Sequence, residues 1–152
     1  MTTISSSADV VAHVEPLFTD ALIRRFERSQ VAHVISQDDS PVILNGTIIK
    51  VETIGGAAEN SRNITSLPGD AVLITDYRIR VTTSVILKRK SDEKVIWQGS
   101  FANEKVYRSP RIGTAVVNSA DATYNQSARI QAIAPLAEEM MVEAHDRITE
   151  NY

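Results

Sequence analysis

The segment Asp76-Tyr77-Arg78-Ile79-Arg80-Val81-Thr82-Thr83-Ser84-Val85-Ile86-Leu87-Lys88 alternates, and it is followed by Arg89-Lys90-Ser91-Asp92-Glu93-Lys94 and then Val95-Ile96-Trp97-Gln98-Gly99-Ser100-Phe101. Its odd positions carry Tyr77, Ile79, Val81, Thr83, Val85 and Leu87, while the even ones carry Asp76, Arg78, Arg80, Thr82, Ser84, Ile86 and Lys88. A period of two held this long describes a strand with one face in a core and the other in solvent. The polar turn and the second run, continuing to Tyr107, make it half of a long antiparallel hairpin. If the strand starts at Ala71 and runs to Leu87, it spans roughly 55 Å at about 3.3 Å per residue.

Working outward, Val42 to Ile54 reads as another strand, apolar on both faces near Ile43-Leu44 and Ile48-Ile49. A long polar connection, Gly55 to Gly69, leads from it into the hairpin, and a second, Ser109 to Tyr124, leads out. Val31 to Ile35 is a short strand candidate, with a turn at Ser36 to Pro41. Val10, Val14, Leu17, Phe18, Ala21, Leu22, Ile23 and Phe26 recur at spacings of three and four behind Asp9, a candidate N-cap. Pro16 requires either that the regular helix begin near Glu15, with proline in its first turn, or that the helix kink there. A final helix starts between Asp121 and Gln126 and buries Ile130, Ile133, Leu136, Ala137, Met140, Met141, Ala144 and Ile148, with a bend at Pro135. Two helices with one apolar stripe each and a sheet with one apolar face pack economically in two layers. The expected fold is α+β, a two-layer sandwich of two helices on one face of a mostly antiparallel sheet of about four strands.

The chain has 152 residues, which suits a single domain over residues 1–152. Its apolar fraction of 43% and charged fraction of 23% are those of a globular protein, and a net charge of −3 gives no general attraction for nucleic acid. Cysteine is absent, which removes thiolate catalysis, disulfides and thiolate metal sites. No run approaches the ~20 apolar residues of a membrane helix, and Met1 to Ser7 have neither the basic region nor the apolar core of a signal peptide. The sequence as it stands therefore reads as soluble.

Chemistry-bearing motifs are scarce. His13, His33 and His145 have no spacing that pairs two on one helix face, so surface or satisfied-core histidines are expected and no metal site. No nucleophile elbow occurs, Gly55-Gly56 lacks the features of a phosphate loop, and the carboxylates single out no acid/base pair, so neither an enzyme nor a cofactor is expected. Topology offers more. In a meander both long connections leave the same end of the sheet, opposite the Ser91-Asp92 turn. They carry Arg62, Arg108 and Arg111, and Arg78 and Arg80 lie on the solvent face of the neighbouring strand. The plain reading is a solvated polar rim, the better one for any single arginine, and the sharper reading is a cationic site for phosphate or carboxylate groups. The basic turn Lys88-Arg89-Lys90 reads as edge protection.

Five blocks carry a family resemblance. Leu17-Phe18-Thr19-Asp20-Ala21-Leu22-Ile23-Arg24-Arg25-Phe26, Leu44-Asn45-Gly46-Thr47-Ile48, Asp76-Tyr77-Arg78-Ile79, Val95-Ile96-Trp97-Gln98-Gly99-Ser100-Phe101 and Tyr107 resemble, in order and spacing, the lipopolysaccharide-assembly lipoprotein family, LptE. The resemblance implies a non-enzymatic outer-membrane component of Gram-negative cells, on the periplasmic side, that plugs and supports a β-barrel translocon, LptD, and contacts lipopolysaccharide. It implies attachment to the membrane through an N-terminal lipid anchor only. The family's lipid-carrying cysteine is missing here, as it would be from a chain cut after the lipidation site, and Thr2 to Ser6 are a poor version of the family's first strand. Basic residues in the family's loops after the second and fourth strands imply lipopolysaccharide contact by Arg62 and Arg111. The alternative reading is an envelope lipid or small-ligand carrier, which would need an apolar cavity between helices and sheet.

Overall fold

The computed structural model describes residues 2–6, 14–55, 58–60, 72–74, 76–108 and 122–150, with side chains for 14–55, 76–107 and 127–150. The alternation around Ile79 produces the expected strand. β5 (Asp76–Arg89) pairs antiparallel with β2 (Val42–Gly55) on one side and β6 (Val95–Arg108) on the other. Ile79, Val81 and Val85 are fully buried and Leu87 is nearly so, while Arg78 and Arg80 are exposed. Tyr77 is half-buried and stacks on Tyr107 across the pair, with ring centroids 5.4 Å apart. Thr83 also points inward, and its buried hydroxyl has no partner among the described residues.

A short strand, β1 (Thr2–Ser6), adds parallel to β2, placing Thr2 beside Leu44, so the sheet order is β1-β2-β5-β6. The apolar pattern on both faces of β2 has a local cause. Ile48 lies opposite Thr83 and Lys50 opposite Thr82, leaving Ile49 as an extra residue in a bulge. One inserted residue reverses which positions face the core. Before the bulge Leu44 and Ile48 are buried; after it Val51 packs against the core, and Ile49 is 48% exposed.

Two expectations need correction. The run from Ala71 to Leu87 is not one strand, because β4 (Val72–Ile74) pairs with β3 (Ala58–Asn60) in a separate two-stranded sheet. The Gly55 to Gly69 connection therefore contains a strand. Val31 to Ile35 form no strand, and Val31 and Ile35 are exposed. The outer edge of β2 is already taken by β1 along Leu44 to Ile48, so this segment has no free backbone row there to join.

α1 (Glu15–Ser29) begins with Pro16 in its first turn, where the missing N–H costs no helical hydrogen bond, and ends at Gln30 in the left-handed region (φ 55), whose N–H bonds the Phe26 carbonyl. Asp9, the candidate cap, lies outside the described residues. α2 (Ala122–Glu150) contains Pro135. Phe18, Ala21, Leu22 and Phe26 of α1 and Ile133, Leu136, Ala137, Met140, Met141, Ala144 and Ile148 of α2 share one core with the inner sheet face. α2 lies against β6 and β5, and α1 against β1 and α2. The architecture is the expected α+β sandwich, with three long antiparallel strands and the parallel β1 in its main sheet.

Candidate functional site

The register fixes what meets at each end of the sheet. Gly55, Tyr77 and Tyr107 form its last complete row, with Arg108 opposite Asp76 beyond it. Both long connections leave from this end, and the 90–94 turn lies at the other. Arg62 and Arg111 lie outside the described residues. The Arg108 backbone closes β6 at the loop end, and its side chain is likewise outside the description.

Arg78 and Arg80 stand where the alternation places them, on the outer sheet face. They share one carboxylate, Glu104, with Arg78 at 3.4 Å and Arg80 at 3.0 Å. Glu52 sits beside Arg80 in register and pairs with Lys50 at 2.6 Å. In these pairs three cations face two carboxylates, and Asp76 precedes Arg78 by two residues along the same outer face of β5. The next row is Ile54, Arg78 and Val106, whose apolar side chains are 49% and 57% exposed on either side of the guanidinium. All these pairs are at least about one-third exposed, and such pairs contribute roughly 0–1 kcal/mol, so a phosphate can displace Glu104 at little cost. On the helix side of the same end, burial pushes the Tyr107 phenol above its ordinary value, opposed by the charge of Arg129. Arg129 is a further cation here that the sequence reading missed, because nothing local in α2 distinguishes it from the helix's other polar positions.

The opposite end holds two features. A half-open cavity of about 340 Å³ lies between the C-terminal ends of both helices and the sheet, bordered by Phe26, Leu44, Leu87 and Ile148. Beneath it His145 is a satisfied core histidine, 4% exposed: Nδ1 lies 2.8 Å from Asp146 Oδ1 and Nε2 2.8 Å from Ser29 Oγ. An ionised carboxylate can only accept, so Nδ1 carries the hydrogen of that bond. Ser29 Oγ also lies 3.0 Å from the Phe26 carbonyl, so its one hydrogen is shared between that oxygen and the imidazole side; Phe26 meets the imidazole edge-on at 4.8 Å, and Arg25 donates to Asp146 at 2.9 Å. The serine, histidine and aspartate have the order of a hydrolytic triad, but here they join the last turn of α1 to α2 and close the core. Among the described residues no group of three or more histidine, aspartate or glutamate side chains could hold a metal, and no helix is long and apolar enough to cross a membrane.

This network has a pH consequence. Hydrogen bonds from His145 and then from Arg25 hold the Asp146 carboxyl below its ordinary value. A depressed folded-state value means stabilisation that is fully present above the unfolded carboxyl's ~3.9 and is lost as pH falls through the folded value. Asp146→Asn should therefore lower Tm at neutral pH, and the gap to the parent should narrow below about pH 4. Thermal melts from pH 2 to 7 measure it; a gap constant with pH would remove the carboxylate from the account.

These features define a two-layer α+β domain with a pair of arginines on the outer sheet face at its loop end. The match to known families narrows this: the model for lipopolysaccharide-assembly, LptE, matches residues 1–150, and the chain belongs to that family. The family is a non-enzymatic component of lipopolysaccharide assembly, and a role in that process follows at family level. Comparison with curated proteins finds no match. Among solved structures, a Xanthomonas campestris protein is similar at 14% identity and TM-score 0.54, over 95% of this chain and 82% of that one. A Chlamydia trachomatis protein is similar at 10% identity and TM-score 0.50, over 96% and 91%. Rare lipoprotein B of Shewanella oneidensis shows 15% identity and TM-score 0.41, over 98% and 90%. At these identities the likeness is one of fold alone.

Proposed function

We propose that the chain plugs and supports the outer-membrane β-barrel LptD and contacts lipopolysaccharide through its basic end. The protein is held on the periplasmic side of the outer membrane by an N-terminal lipid anchor. The family match across residues 1–150 carries this reading. The sheet supports it, because the two long connections whose sequences carry Arg62 and Arg111 leave from the end where Arg78 and Arg80 lie and where β6 closes at Arg108. Phosphates and sugar acids of lipopolysaccharide suit guanidinium forks, and Ile54 and Val106 beside Arg78 add apolar contact.

Co-expression with the cognate barrel tests the first part. A stable stoichiometric complex should survive purification, and a chain that elutes alone would sink it. For the second part, Arg62→Glu with Arg111→Glu should weaken lipopolysaccharide binding, most clearly at low salt, since the screening length falls from about 10 Å at 0.1 M to about 3 Å at 1 M. Stability should change by no more than about 0.5 kcal/mol, as for most surface substitutions. Lys88→Glu with Lys94→Glu at the far turn is the control. Lys90 is unsuitable there, because its ammonium is tied to the Gln37 and Asp38 carbonyls at 3.0 and 2.7 Å. Equal losses at both ends would mean nonspecific attraction; no loss at the loop end would remove these arginines from the site.

A further inference from the structure

We infer that the cavity at the turn end is a binding site for a single unbranched acyl chain, its polar head left in solvent at the mouth. The inference concerns the end of the sheet opposite the arginines and stands whether or not they bind lipopolysaccharide.

The walls come from separate layers that leave a gap at their corner. Phe26 and Ile148 bring the last turns of the two helices, and Leu44 and Leu87 the inner sheet face. Over them runs the segment that forms no strand, and Val31, Val34 and Ile35 line the cavity from it. Val31 and Ile35 stay 61% and 44% exposed, so apolar surface remains there for an occupant to cover.

Chemistry selects the occupant. Two of the three polar side chains in the wall are committed elsewhere: the Ser40 hydroxyl donates to the Val42 carbonyl, and Thr149 Oγ1 lies 3.0 Å from the carbonyls of both His145 and Asp146, while the third, His33, lies on the exposed covering segment. Beyond the His33 imidazole, which suits a polar head, a ligand that needed many hydrogen bonds from side chains of these walls would leave its own polar groups unpaired, which disfavours sugars and nucleotides. A purely apolar body has no such penalty. At about 340 Å³ the cavity is near the lower end of the ~300–1,000 Å³ typical of ligand sites, which suits one slender chain rather than a two-chain lipid. The covering segment is held at both ends before anything binds. The Gln30 N–H donates to the Phe26 carbonyl, and the Lys90 ammonium donates to the Gln37 and Asp38 carbonyls while the Lys90 backbone N–H donates to the Pro41 carbonyl.

Calorimetric titration of the 152-residue chain with dodecanoate, below its micellar concentration, and with hexanoate tests the inference. One dodecanoate should bind per chain, with hexanoate much weaker. Affinity should rise about fourfold for each methylene that enters, the factor equivalent to ~0.8 kcal/mol per buried CH₂. Val31→Asp and Ile35→Asp change exposed positions, so the fold should persist by circular dichroism while dodecanoate binding weakens at least tenfold. Ile49→Asp, an equally exposed position on the outer sheet face, should leave binding unchanged. Equal affinity for both acids, an equal loss in the Ile49 variant, or no saturable binding would overturn the inference. So would a concentration-dependent dimer that dodecanoate fails to dissociate, since a second copy would then be the occupant.

Discussion

Phe18→Ala should lower the unfolding free energy by about 3–5 kcal/mol, the range for removing a buried aromatic side chain. Phe18 has no solvent exposure and lies on the buried stripe of α1 with Ala21 and Leu22, in the same core as Ile133, Leu136 and Met140 of α2. Truncation takes away apolar area and leaves a cavity that the surrounding side chains fill only in part. Domains of this size are stable by roughly 5–15 kcal/mol, so the loss is a large fraction of the total. Urea unfolding followed by far-ultraviolet dichroism measures it, with an unchanged m-value expected. Leu17→Ala is the matched comparison: Leu17 is only partly buried against this core, and its cost should be clearly smaller. Equal costs would mean that burial does not rank these positions as the fold requires.

Gly99→Val should destabilise by about 1–3 kcal/mol through overpacking, and it should move the chain's one tryptophan. Gly99 is on the inner face of β6, opposite Val85, between Trp97 and Phe101. A Cβ at this position would lie 2.5 Å from Trp97 Cη2, 2.8 Å from Cζ2 and 3.2 Å from Phe101 Cζ. The indole therefore lies across the space that a side chain would take, roughly parallel to the Phe101 ring at 6.2 Å. An indole is rigid, so any side chain at residue 99 must swing the whole ring outward. Loss of stability should accompany a red-shifted tryptophan emission as the ring enters water. Stability lost with unchanged emission would mean that the strand moved and the ring did not; no change in either would remove the close approach from the account.

The local sequence determined the parts of this fold that follow from short-range periodicity. Ile79, Val81, Val85 and Leu87 are buried and Arg78 and Arg80 exposed, because alternate side chains of a strand must point to opposite faces. Likewise Pro16 sits in the first turn of α1, because its ring is tolerated there and not further in. The tertiary structure decided whatever depends on residues far apart. Whether Val31 to Ile35 could pair depended on β1 already occupying the edge of β2, and no property of those five residues records that. The bulge at Ile49 reconciles two apolar faces only because β5 fixes the register opposite it. At the candidate site, Arg78 and Arg80 were legible as an outward pair, but their shared partner Glu104 is on the next strand, and Arg129 reaches the Tyr107 end from α2. The bonds of His145 to Ser29 and Asp146 show the same division. The Asp146 contact is between chain neighbours, whereas the Ser29 contact exists only because α1 and α2 end side by side. The cavity is the extreme case: Phe26, Leu44, Leu87 and Ile148, from two helices and two strands, wall it beneath the Val31 to Ile35 segment, and each alone is an ordinary core residue until packing leaves the space between them.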